Sequence, residues 1–109
     1  MTANVLLTFC TCPDDVIANR IAETLVRERH AACVNRLSGV TSFYRWQGEL
    51  QRDEETLLLI KTTTARFDAL SARLRELHPY ELPEIIAVPV DRGLPEYLQW
   101  VSTCTADTA

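Results

Sequence analysis

The chain has 109 residues, 47% hydrophobic and 24% charged, with a formal net charge of −4 and a pI near 5.1. That length suits one domain with a modest core, taken as residues 1–109 with its folded part from about 4 to 102. An acidic balance cannot neutralise phosphates, which excludes a nucleic-acid partner, and no run approaches the ~18 apolar residues of a membrane span.

The opening residues Met1-Thr2-Ala3-Asn4 lack the basic start of a secretory signal, so the expected compartment is cytoplasmic. The four cysteines, Cys10, Cys12, Cys33 and Cys104, have apolar or small neighbours and are expected there as reduced thiols.

Residues 5–9 are a short apolar run with β-branched and aromatic members, a buried strand expected to end near Thr11-Cys12-Pro13. Pro13 suits the first position of a helix, and Asp14 and Asp15 suit its positive end. Ile17, Ile21 and Leu25 recur every four residues, which predicts an amphipathic helix to about Ala31 with His30 on its solvated face. A second strand opens at Cys33-Val34, loosens at Ser38-Gly39 and runs on to Trp46, where Gln47-Gly48 signals a turn. The charged run 49–55 reads as a solvated hairpin tip and residues 56–60 as a third strand, so 34–62 forms one long hairpin. Thr64 is the candidate N-cap of a second helix marked by Phe67, Leu70, Leu74 and Leu77, and His78-Pro79 stops it. Residues 85–90 form a fourth strand that Pro89 confines to an edge or bulge. A short helix over 94–101 closes the chain, with the tail after Ser102 expected to fray.

The order βαββαβ with a short C-terminal helix is the ferredoxin-like α+β sandwich, in which two helices cover one face of a four-stranded sheet. A half-covered sheet alternates apolar and polar residues. Here both parities are apolar: Val5, Leu7 and Phe9 against Leu6 and Cys10, Leu58 and Ile60 against Leu57 and Leu59, Ile86 and Val88 against Ile85 and Ala87. No segment is left over to cover the second face, so a second copy of the chain is the expected cover. Burying ~600 Å² of apolar surface per subunit would contribute on the order of 15 kcal/mol before association costs.

The series Thr11-x-Pro13, Ala31-Ala32-Cys33-Val34-Asn35, Val40-x-Ser42-x-Tyr44-x-Trp46-x-Gly48, Leu59-x-Lys61-Thr62, His78-Pro79-Tyr80-Glu81-x-Pro83-Glu84-Ile85 and Tyr97-Leu98-x-Trp100 resembles the CutA-type divalent-cation tolerance family. The resemblance covers about residues 5 to 101 in order. It implies a cytoplasmic homotrimer of ferredoxin-like subunits, similar in architecture to the PII signalling proteins, with sheets facing inward and ligand clefts between subunits. It also implies a part in tolerance of copper and other divalent metals, with no catalytic reaction, so an enzyme is not expected. Copper ligands proposed in such members fall on Cys10 and His78, while a second histidine found in them is Leu77 here.

Thiolate and imidazole both suit Cu(I). Cys12 adds a further thiolate if the first strand persists that far, because residues i and i+2 share a face. If the strand turns at Thr11, Cys10 is a core residue and Cys12 a loop thiol. His78 equally suits the end of a helix, where an imidazole meets the last carbonyls. Lys61, Glu81 and Glu84 flank apolar strands, and with Tyr80 and Trp46 as walls they make a candidate inter-subunit cleft. The alternative for these charges is an ion pair holding the strand ends. Tyr44, Trp46 and Trp100 suit packing between subunits.

Rivals on the same fold lack their signatures. A copper chaperone needs C-x-x-C after the first strand, and this chain has C-x-C followed by Pro13; an acylphosphatase-like phosphate cradle would meet Asp14 and Asp15. The competing function is a PII-like signalling or scaffold trimer that uses no metal and takes a small molecule or a protein partner.

Overall fold

Asp14, not Pro13, starts the first helix of this chain: its carboxylate accepts the Ile17 N–H at 2.8 Å, and Pro13 sits just outside. The computed structural model describes residues 4–106. Its elements are β1 (Val5–Cys12), α1 (Asp15–Arg27), β2 (Cys33–Trp46), β3 (Glu49–Thr63), α2 (Thr64–Leu77), β4 (Ile86–Pro89) and α3 (Pro95–Thr105). Met1, Thr2 and Ala3, used above to judge the compartment, lie outside the described residues, as does the tail beyond 106. The ferredoxin-like βαββαβ order is as expected, and the four strands form one antiparallel sheet in the order β2-β3-β1-β4.

Helix α1 stops at Arg27, short of Ala31, because Arg29 adopts a left-handed φ of 65° and the Leu25 carbonyl accepts from both the His30 and Ala31 N–H groups. That turn folds His30 inward. Its side chain is 15% exposed, with Nε2 3.5 Å from Glu28 and Nδ1 3.3 Å from the Arg66 Nη2, so the solvated position expected for it is corrected. Helix α2 is capped by Thr63 rather than Thr64, without a side-chain cap bond; the Thr64 N–H donates instead to the Asn4 carbonyl at 2.9 Å. The two helices are tied by Arg73, whose Nε and Nη2 donate to the two Glu28 carboxylate oxygens at 2.8 and 3.1 Å.

The run 49–55 is strand, not tip. Gln47 and Gly48 both have positive φ, 51° and 81°, the geometry of a tight two-residue hairpin turn, so pairing resumes at Trp46↔Glu49. A bulge between Leu37 and Val40, with Gly39 at φ 79°, accounts for the loosening at Ser38-Gly39. The chain is elongated, with its longest dimension 46 Å. Strand β4 pairs with β1 alone and is an edge, as Pro89 requires. It begins at Ile86, because Ile85 turns the other way and packs on the helix side.

The sheet has two unequal faces. Cys10, Cys12, Leu58 and Ile60 bury completely against Ala18, Ile21 and Leu25 of α1 and Leu70 and Leu74 of α2. On the other face α3 covers one end, with Val101, Leu98 and Cys104 packed on Val5, Ala32 and Val90. A segment was therefore available to cover part of that face, and α3 runs on through Thr105 because Val101 and Thr105 are held buried there. The remainder stays open. Cross-strand rows Asn35–Leu59–Phe9–Ile86 and Lys61–Leu7–Val88 cross it, and Leu37, Ile86 and Val88 are 43%, 56% and 47% exposed. Among the described residues no helix is long and apolar enough to cross a membrane.

Candidate metal centre

Strand β1 keeps its pairing through Cys12↔Thr56, so of the two alternatives the strand persists and does not turn at Thr11. Cys10 and Cys12, two apart on a strand, therefore point to the same face, and both are fully buried beneath the helices. From the other side comes His78. Pro79 disfavours helical geometry at the residue before it, and His78 takes extended backbone angles (φ −83°, ψ 134°) while its N–H still donates to the Leu74 carbonyl at 2.9 Å. The cap expected of His78 is thus made by its backbone. Its side chain, 7% exposed, is free to reach the end of β1.

One ligand atom from each of Cys10, Cys12 and His78 lies within 4.8 Å of the others. His78 Nε2 is 2.8 Å from the Thr11 carbonyl oxygen, and Nδ1 accepts the Tyr80 N–H at 3.1 Å. The Tyr80 ring lies 4.7 Å from the imidazole, and its hydroxyl donates to Glu55 at 2.8 Å.

The two thiols are unequal. The Cys10 S–H interacts with the Cys12 sulfur and, against the cost of burial and with help from His78, lowers Cys12 to about 6. The same interaction, followed by burial and the adjacent Cys12 charge, pushes Cys10 well above the ordinary thiol range. Cys12 is the first to ionise. For His78, burial is the largest single effect and lowers its basicity, but the contacts to Cys12 and the Thr11 carbonyl outweigh it and the net direction is upward. The Tyr80 N–H aimed at Nδ1 opposes that tendency, since it needs the lone pair of a neutral ring. Burial, then the Glu55 bond, raises the Tyr80 phenol.

Two sulfurs and one imidazole make a soft donor set that fits Cu(I) and ill suits hard ions such as Mg²⁺ or Ca²⁺.

The remaining candidates scatter. Lys61 stands in mid-sheet, opposite Leu7 and Cys33, and its ammonium contacts Asn35 Oδ1 and, at 4.0 Å, Cys33 Sγ. Among the described residues it forms no salt bridge with Glu81 or Glu84, both exposed, so the ion pair weighed for the strand ends is not made within the chain. Trp46 lies at the outer end of the hairpin, 38% exposed. Tyr80 adjoins His78, and the charge of Glu84 is near enough to act on Cys10.

Glu55 is the residue that sequence reasoning passed over. It is 8% exposed and lies one register step beyond Cys12↔Thr56, where β1 has ended and Tyr80 takes the vacant place beside β3. No signal in the sequence marks it, because residues 51–55 are polar at both parities.

Comparison with known proteins agrees with this architecture. The family model described as CutA1 divalent ion tolerance protein matches residues 6–104. A divalent-cation tolerance protein CutA from Thermus thermophilus is 54% identical over 91 residues, covering 84% of this chain and 88% of the relative. Protein CutA of Mus musculus is 44% identical over 102 residues, 94% of this chain, which spans 58% of that longer relative. The crystal structure of CutA from Xylella fastidiosa superposes with a TM-score of 0.93 at 51% identity, covering 95% of this chain and all (100%) of the other. Fold, motif series and overall likeness coincide, and the chain belongs to the CutA1 divalent ion tolerance protein family.

Proposed function

We propose that this divalent-cation tolerance protein binds copper, as Cu(I), through Cys10, Cys12 and His78, in a homotrimer whose subunits meet across the open sheet face. The observation that carries the copper reading is the convergence of two thiols and an imidazole within 4.8 Å. Cys12 supplies the first thiolate, Cys10 the second once a cation offsets the repulsion between them, and His78 the nitrogen; their protons leave to solvent. Soft donors of this kind select Cu(I) over the hard divalent ions. The absent second histidine, Leu77, is offset by Cys12. The role is to hold the metal, not to turn over a substrate.

The assembly reading is supported by the apolar rows left open on the sheet, with the number three taken from the family resemblance. All four cysteines are free thiols, which suits a reducing cytoplasm. A second reading, a PII-like signalling or scaffold trimer, draws on the exposure of Trp46, Glu81 and Glu84, which, with Tyr80 as a wall, would join Lys61 in a small-molecule or protein-binding cleft across a subunit boundary.

Competition against a Cu(I) chelator tests the copper reading. Wild type should withdraw Cu(I), and Cys10→Ser, Cys12→Ser and His78→Ala should each weaken it, the cysteine variants by more than the roughly 10–100-fold that loss of a ligand's hydrogen-bonding partner costs. If the three variants compete as wild type does, the ligand assignment is wrong. If wild type ignores copper and a metabolite raises its melting temperature, the signalling reading replaces it.

A further inference from the structure

His78 has no lone pair to spare. Nε2 faces the Thr11 carbonyl at 2.8 Å, and a carbonyl can only accept, so Nε2 carries the ring proton. Nδ1 holds the lone pair, and the Tyr80 N–H occupies it at 3.1 Å. A metal needs a free ring nitrogen, and in this conformation both are engaged.

Two routes can free one. In the first, Nδ1 becomes the ligand and the Tyr80 N–H must leave it. In the second, Nε2 becomes the ligand, releasing its proton and the Thr11 carbonyl. A neutral ring then carries its proton on Nδ1, which faces the Tyr80 N–H donor to donor. That arrangement is repulsive, and Tyr80 must leave here too. Either way His78 cannot ligate while Tyr80 stays.

Tyr80 is anchored. Its ring lies 4.7 Å from the imidazole, and its hydroxyl donates to Glu55, a carboxylate that is 8% exposed. Hydrogen bonds to ionised, buried acceptors are the stronger kind. Six residues on, the same connector becomes Ile86, the start of the edge strand on the open face.

We propose that Tyr80 and Glu55 form a latch on His78, so that capture of a thiophilic cation by Cys10 and Cys12 becomes complete only as Tyr80 shifts and carries the 78–85 connector with it. This rests on the copper reading above. Tyr80 and Glu55 are positioning residues: neither touches the metal. Linkage makes the coupling reciprocal, so whatever weakens the latch strengthens binding.

The test uses full-length protein with ¹⁵N-labelled histidine and backbone, titrated anaerobically with Cu(I). Metal-free wild type should show the His78 ring protonated at Nε2. Saturation should shift a His78 ring nitrogen and the Tyr80 amide together. Tyr80→Phe keeps the ring and the backbone N–H but loses the Glu55 bond, and should bind Cu(I) roughly tenfold more tightly, the equivalent of ~1.4 kcal/mol. Glu55→Gln keeps a neutral acceptor and should give a smaller gain; it decides the matter if the phenylalanine variant does not fold.

Metal-free His78 protonated at Nδ1 would overturn the latch. So would a ligated His78 beside an unmoved Tyr80, or folded variants that bind no more tightly than wild type; in both cases the copper reading survives. If neither wild type nor variants bind Cu(I), the copper reading falls and the coupling falls with it.

Discussion

Replacing Ile86 and Val88 together by lysine should dissolve the assembly and leave the subunit folded. Full burial of an aliphatic side chain is worth ~1.5–3 kcal/mol. Ile86, Val88 and Leu37 are 56%, 47% and 43% exposed, so about half of that, ~1 kcal/mol each, remains to be gained on contact with another subunit. Per trimer the three positions contribute roughly 9 kcal/mol, with the half-buried Leu57, Leu59 and Phe9 adding to it. The double substitution removes about two thirds of the gain. It also asks the interface to bury two ammonium groups per subunit, each costing several kcal/mol, on the order of 3 or more. The fold should survive, because positions 86 and 88 point away from the core beneath the helices, which the neighbouring Ile85 helps to pack. Sedimentation velocity at micromolar concentration should give wild type a mass three times 12.4 kDa and the variant a mass of 12.4 kDa, with matching far-ultraviolet circular dichroism. A monomeric wild type, or a variant that still sediments as a trimer, would refute the reasoning from the open face.

Two further outcomes concern the folded chain itself. Leu58→Ala, at a fully buried position between the sheet and α1, should cost about 2–5 kcal/mol in urea unfolding; a loss under ~1 kcal/mol would mean that the core collapses around the gap. Asp15 accepts from Thr56 at 2.6 Å and from Ser38 at 2.8 Å, with Arg36 nearby, and these contacts, Thr56 foremost, hold its carboxyl below the ordinary range. A carboxyl lowered in the folded state gives stability that is full above its unfolded value and is lost as pH falls through the folded one. Wild-type melting temperature should therefore drop on acidification below about pH 4, and Asp15→Asn should be less stable at pH 7 with a flatter acid limb. Parallel curves for the two proteins would remove Asp15 from the account.

How far sequence reading reached depended on where each decision is made. Element types were legible, because Ile17, Ile21 and Leu25 or Leu70 and Leu74 repeat at the helical period whatever surrounds them. Their ends were not. Helix α1 ends where Arg29 turns left-handed, and α2 begins where a carbonyl of Asn4, sixty residues earlier, claims the Thr64 N–H. The metal centre shows the same division. Cys10 and His78 were carried by the family resemblance, and Cys12 hung on whether β1 lasted two residues longer, which its partner Thr56 on β3 decides. Glu55 was illegible: its hydrogen-bond partner Tyr80 is twenty-five residues away, and in isolation it belongs to a charged run.

The bulge in β2 has a consequence for how this hairpin can change over generations. Before it, Cys33, Asn35 and Leu37 oppose Lys61, Leu59 and Leu57; after it, Val40, Ser42, Tyr44 and Trp46 oppose Glu55, Asp53, Gln51 and Glu49. The odd residues of the inner half and the even residues of the outer half thus share one side, and the extra residue at Gly39 makes that switch of phase. Deleting it would set Ser38 alone opposite Thr56 and leave every other pair in place, so Tyr44 and Trp46 would keep the side that carries Glu55 and only the kink of the bulge would be lost. An added residue at the Gln47-Gly48 turn lengthens the tip and leaves the phase untouched. Between Leu37 and Val40 one residue can therefore be lost without moving a side chain across the sheet, whereas Gly39, at φ 79°, resists replacement while the bulge is kept.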